Sequence, residues 1–155
     1  MAGVIEARLA ELGIDLPEAA APAANYVPYV VSGNHVFVAG QITLHNGELK
    51  YQGKLGQEFS VDEGYQAARL CALNIIAQVK AACGGDLDRV VRIVRLGGFV
   101  NADGNFHDHP KVINGASDLM VEVFGDKGRH ARAAVGCPAL PLNVATEVDA
   151  IVEIA

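Results

Sequence analysis

Between Ser60 and Gly85 the chain carries its longest stretch of helical periodicity, with sequence dense in β-branched residues on both sides. Ser60-Val61-Asp62-Glu63 is a capping box, in which a serine hydroxyl and the glutamate three residues later satisfy each other's free backbone N–H groups. Downstream, Ala68, Cys71, Leu73, Ile75, Ile76 and Val79 spread over a wide apolar face. The pattern predicts a helix to about Cys83, stopped by Gly84-Gly85. A face that broad needs a sheet to cover it. Arg89–Val100, rich in Val, Ile and Leu, predicts a central strand. Its Arg92 and Arg95 are spaced irregularly for one face, so at least one must find a partner or an edge. Val144–Ile154 sets Val148, Ala150, Val152 and Ile154 against Glu147, Asp149 and Glu153, the alternation of a strand with one buried face.

The remaining segments complete this plan. Residues 3–12 place Ile5, Leu9 and Leu12 at helical spacing before Gly13, predicting a short amphipathic helix. Leu16 to Pro28, rich in Ala and Pro, reads as an extended arm. Tyr29-Val30-Val31, a Ser32-Gly33-Asn34 turn and His35–Gly40 read as a hairpin, and Gly47–Tyr51 as a weaker third strand. Asn101–His109 is a polar loop. Asp108 or His109 caps a second helix with Pro110 in its first turn, Ile113, Ala116, Met120 and Val123 on its buried face, and Gly125 at its end. Ala131–Cys137 is a further strand. The expected class is α+β: one domain over residues 1–155, with a mixed β-sheet and two helices packed on one face. Residues 1–24 hold the N-terminal helix and arm. No helices remain for the other face of the sheet, so other subunits are expected to cover it.

Composition narrows the function. The formal net charge is −6, which argues against generic nucleic-acid binding. Lys127, Arg129, His130 and Arg132 form a short local basic cluster. The three cysteines, Cys71, Cys83 and Cys137, fit no zinc or Cys-x-x-Cys spacing and read as reduced thiols of a cytoplasmic protein. The N-terminus lacks the pattern of a signal peptide, and no apolar run reaches about 18 residues, so no membrane contact is expected. His107 and His109 stand two apart with no third ligand in view, so no metal or other cofactor is expected.

Arg132 is an arginine among small residues. Its guanidinium can grip a planar carboxylate through two parallel hydrogen bonds and cannot lose its charge. The same residue would equally serve in a salt bridge to Glu147, Asp149 or another subunit.

Several segments resemble the RidA/YjgF family, also called L-PSP endoribonuclease-like: Pro28-Tyr29-Val30, Val38-Ala39-Gly40-Gln41, Gly97-Gly98-Phe99-Val100, Val112-Ile113-Asn114 and Ala131-Arg132-Ala133-Ala134-Val135. Leu140-Pro141 and Glu147-Val148-Asp149-Ala150-Ile151 follow in the same order. The match covers roughly residues 25 to 155, and the N-terminal helix and the Asp103–Pro110 insert mark a divergent branch. The resemblance implies a chorismate-mutase-like fold, a homotrimer and a site at each subunit interface. It implies hydrolytic deamination of 2-imino or 2-enamino acids to 2-keto acids and ammonia, without a cofactor. Arg132 would clamp the carboxylate and Glu147 would position water, so the ligand is a small carboxylate metabolite. Tyr29, Gly40, Asn114 and Ala134 match other pocket positions. A Ser-Cys pair follows the arginine in the well-known deaminases, and Ala133-Ala134 stands here instead. A backbone carbonyl at Ala134 survives that change, whereas a thiol does not. A non-catalytic carboxylate sensor and an endoribonuclease are the alternative functions.

Overall fold

The computed structural model describes residues 3–22 and 24–155. The opening helix α1 spans Val4–Glu11, followed by the arm. Strands β1 (Tyr29–Ser32) and β2 (His35–Gln41) form the expected hairpin, with Tyr29 opposite Val38 and Ser32 opposite His35. Two short strands, β3 (Leu44–His45) and β4 (Glu48–Leu49), precede the long helix α2 (Val61–Ala82). Then come β5 (Val90–Asn101), α3 (His109–Phe124), β6 (Ala131–Cys137) and β7 (Thr146–Ile154).

Among the described residues the main sheet has five strands in the order β1-β2-β7-β5-β6. β7 runs antiparallel to both its neighbours, and β5 and β6 are parallel. The chain therefore leaves β2, crosses through α2 and enters β5 with β7 inserted between them; it leaves β5, crosses through α3 and enters β6 alongside. Both crossovers lay their helix on the same face. The core lies between that helix layer and the inward side chains of the sheet, Val36, Val38, Ile93, Leu96, Val148, Ala150 and Val152 among them.

Local chemistry explains most elements. The Ser60/Glu63 capping box is made in full, with Glu63 N–H donating to Ser60 Oγ and Ser60 N–H donating to Glu63. The irregular arginines of β5 have a physical cause: the register against β7 shifts between Val90 and Arg92 and again between Ile93 and Arg95. Each bulge adds a residue, which keeps Ile93 and Leu96 inward and turns both arginines outward. Arg92 then donates to Arg129 O at 2.9 Å, and Arg95 pairs loosely with Asp149 at 3.8 Å.

The third strand differs from expectation. The chain turns at Asn46-Gly47, where both residues have positive φ (49° and 86°), and makes a two-stranded ribbon outside the main sheet. Asn-Gly is the strongest short hairpin signal a sequence carries, because both central residues of a type I′ turn need positive φ. Helix α1 is docked by a residue 84 positions away. The Asp88 carboxylate accepts from Val4 N–H and Ile5 N–H, each at 2.9 Å, and these bonds hold its carboxyl below the usual range.

α2 and α3 approach each other through Gly115, where a Cβ would overlap the Tyr65 carbonyl oxygen. The opposite face of the sheet has no helix. Val30, Phe37 and Val135 lie on it, 51%, 45% and 47% exposed. None of the described helices is long and apolar enough to cross a membrane.

Candidate functional site

The candidate residues fall into two groups on opposite faces of the sheet. Arg132 lies on β6, opposite Leu96 of β5, and therefore points toward the helix layer. Its Nη1 donates to Ser117 Oγ and its Nη2 to Pro110 O, both at 3.1 Å and both on α3. Among the described residues no carboxylate lies within ion-pair distance of it. Asp149, a partner the sequence left open, pairs with Arg95 instead. Ala134 stands two residues along β6, opposite Gly98, on the same side and packed against the core. Asn114 is exposed on α3, one turn before Ser117 and so on the same helix face.

Glu147, the second residue of β7, lies opposite Phe99 and points away from the helices, in alternation with buried Val148 and Ala150. Gly40 lies against it on β2; a Cβ there would overlap Glu147 Oε2. Glycine is thus the residue that leaves the carboxylate its place. Half-burial pushes the Glu147 carboxyl above the ordinary range, and neighbouring Asp149 adds to the shift. Asp149 is itself raised by burial, with Arg95 and the Gly97 N–H opposing.

A cavity of about 220 Å³ adjoins Glu147 and Gly40, walled by Ala20 and Pro22 of the arm, Tyr26, Asn74 and Leu142. The arm is held in place by Gln78 Nε2, which donates to Ala20 O at 2.8 Å. Asn74 pins the chain on the other side, donating to Ile42 O and Leu44 O. Leu142 and Asn143 both take left-handed backbone (φ 57° and 59°), a costly conformation for leucine. Their surroundings over-determine it: Gln52 Nε2 donates to Leu142 O and Gly53 N–H to Asn143 O. Buried Asn101 donates to Asn143 Oδ1.

Tyr29 sits elsewhere. It is half-buried against the core, on the helix side of β1, and the tyrosine at the Glu147 cavity is Tyr26. Sequence reasoning passed over Tyr26 because it falls in the arm, and over Ser117 although its spacing from Asn114 puts the two on one face.

The Asp103–Pro110 insert is accounted for by its own contacts. His107 lies 3.2 Å from Gly104 O, and His109 stacks edge-on with Phe106. Among the described residues no group of three or more His, Cys, Asp or Glu could hold a metal. Cys71 is fully buried beside Thr146, and burial pushes its thiol up to about 12, so it stays protonated.

Comparison with known proteins decides the lineage. A family model described as "YjgF/chorismate mutase-like, putative endoribonuclease" matches residues 6–154. The chain belongs to the YjgF family. Protein TCP17 of Trypanosoma cruzi is 51% identical over 153 residues, covering 98% of this chain and 95% of the relative. The crystal structure of a putative endoribonuclease from Shewanella oneidensis superposes with a TM-score of 0.94 at 44% identity, over 98% of this chain and 100% of that one. TdcF of E. coli, solved with bound serine, is 26% identical with a TM-score of 0.60, over 90% of this chain and 93% of that one. The helix-on-sheet order of this YjgF-family chain is that of the fold, and the short N-terminal helix is present as well.

Proposed function

We propose that this protein hydrolyses 2-imino and 2-enamino acids to 2-keto acids and ammonia, at sites composed by two subunits of a homotrimer. The observation that carries the reading is Arg132: a guanidinium anchored by two hydrogen bonds to α3, with no carboxylate partner among the described residues. A cation held in place and left unneutralised is a receptor for an anion. Glu147 supplies the second requirement, an acceptor beside an apolar-walled cavity. The two project from opposite faces of one sheet, with β5 between their strands. A ligand touching both therefore needs β6 and α3 of one subunit set against the open face of the next. The exposed Val30, Phe37 and Val135 suit that face to burial. The bound serine of the TdcF structure supports a small amino-acid-like ligand in this family.

The chemistry is balanced without a cofactor. Arg132 clamps the carboxylate of the iminium acid. Glu147 accepts a proton from water as its oxygen bonds to the electrophilic carbon. That proton passes to nitrogen. The hydroxyl then gives its proton to Glu147 as its O–H electron pair forms the carbonyl and the carbon–nitrogen pair leaves on nitrogen. Glu147 hands the proton to the departing ammonia, giving the keto acid and ammonium. Ala133-Ala134 leaves the pocket without a thiol beside Arg132. The burial of Cys71 and Cys83 suits a reducing, cytoplasmic setting.

The test is keto-acid formation from an imino acid generated in situ by an amino-acid oxidase. Wild type accelerates it, and Arg132→Ala abolishes the acceleration. If wild type matches buffer across several imino acids, the reading is wrong.

A further inference from the structure

Arg132 is the end of a hydrogen-bond chain in which every donor has a fixed direction. His130 Nδ1 lies 2.6 Å from Gly128 O. A carbonyl only accepts, so Nδ1 carries the proton, and in the neutral ring Nε2 is left as an acceptor. Ser117 Oγ lies 2.8 Å from Nε2 and donates its hydroxyl proton there. The lone pairs of Oγ are then free to accept, and Arg132 Nη1 donates to them at 3.1 Å. The direction runs from Arg132 to Ser117, to His130, to Gly128, with no donor facing a donor.

Both ends of the chain are set by α3. Ser117 belongs to the helix. Buried Gly128 packs so closely on it that a Cβ would overlap Met120 O, which fixes the Gly128 carbonyl. Pro110 O, at the first turn of the same helix, takes a proton of Arg132 Nη2. The guanidinium has five N–H groups, two of them used here, and its plane is held from two sides while the rest stay free for a ligand.

We infer that Ser117 and His130 are positioning residues of the carboxylate clamp, fixing the plane of Arg132 through a Ser-His relay that requires the Nδ1-protonated tautomer of His130. This rests on Arg132 being the anion-binding group. A guanidinium of fixed plane sets the plane of the carboxylate it grips, so the relay governs how tightly a small carboxylate such as a 2-oxo acid is held.

The experiment measures 2-oxobutanoate binding by calorimetry, and the His130 ring by nitrogen-15 NMR. Wild type shows Nδ1 protonated and Nε2 unprotonated, and binds 2-oxobutanoate. Ser117→Ala weakens 2-oxobutanoate about tenfold and leaves His130 protonated at Nδ1, where Gly128 O still accepts. Ser117→Thr keeps binding and tautomer. His130→Leu weakens binding as Ser117→Ala does, and the double variant is no worse than either, since one chain is broken once. Wild-type affinity in Ser117→Ala, additive losses in the double variant, or Nε2 protonation in wild type overturns the relay. Loss of binding in Arg132→Ala alone, with Ser117→Ala unaffected, removes the relay and keeps the clamp. Normal binding in Arg132→Ala removes both.

Discussion

Glu147 carries opposing demands. As a half-buried carboxylate beside Asp149 it holds its proton to higher pH than an exposed glutamate. Its folded-state pKa lies above the unfolded value. The stability it contributes is therefore present at low pH, where the proton is bound, and is lost as pH rises through the folded pKa. Glu147→Gln mimics the protonated form. At about pH 7 the variant gains a small rise in Tm, small because solvent screens a half-exposed group. At about pH 3 wild type is protonated too, and the two melting temperatures converge. Turnover falls at least about 100-fold, since an amide cannot take the proton from water. Thermal melts at the two pH values with one activity assay check this; a Tm below wild type at neutral pH contradicts it. The outward position of Glu147 was legible from its place on an alternating strand, and the role proposed for it came from the family resemblance. The relay at Ser117 was not: His130 had a position beside Arg132, but only the packing of Gly128 on α3 joins the three side chains.

At the scale of elements, local signals carried furthest. The capping box at Ser60, the Pro110 start of α3 and the alternation of β7 all correspond to the folded chain, because each is decided within a few residues. The bulges of β5 were visible only as two misplaced arginines, since a bulge is fixed by the strand beside it. The Asn46-Gly47 turn had a clear local signature and reads as a hairpin, where the weaker pattern of Gly47–Tyr51 suggested a longer strand. The docking of α1 on Asp88 depends on a contact across the chain and left no local trace. The tight approach of α2 and α3 is also non-local. Gly115→Ala would press a methyl group onto the Tyr65 carbonyl, which belongs to backbone and cannot swing aside. It costs about 2–3 kcal/mol and lowers Tm by roughly 4–12 °C. A thermal melt indistinguishable from wild type would show that α2 and α3 can separate freely.

For the whole molecule, the decisive fact is that Arg132 and Glu147 face away from each other across one sheet. The sequence order placed both in one motif, on consecutive strands in the chain's last third. It could not show that the parallel β5–β6 pair turns one toward the helices while the alternation of β7 turns the other outward. On the proposed function, the anion clamp on one side and the water-positioning acid on the other complete a site only against a second copy. Closed rotational symmetry then gives each subunit both roles, once with each neighbour. The most direct measurement co-expresses Arg132→Ala and Glu147→Gln subunits in equal amounts, isolates the assembled protein and assays imino-acid hydrolysis. Random assembly places an intact Arg132 against an intact Glu147 at about one quarter of the interfaces. The account predicts that the mixture recovers about that fraction of wild-type activity, although each variant alone is inactive. A mixture as inactive as its parents would contradict it.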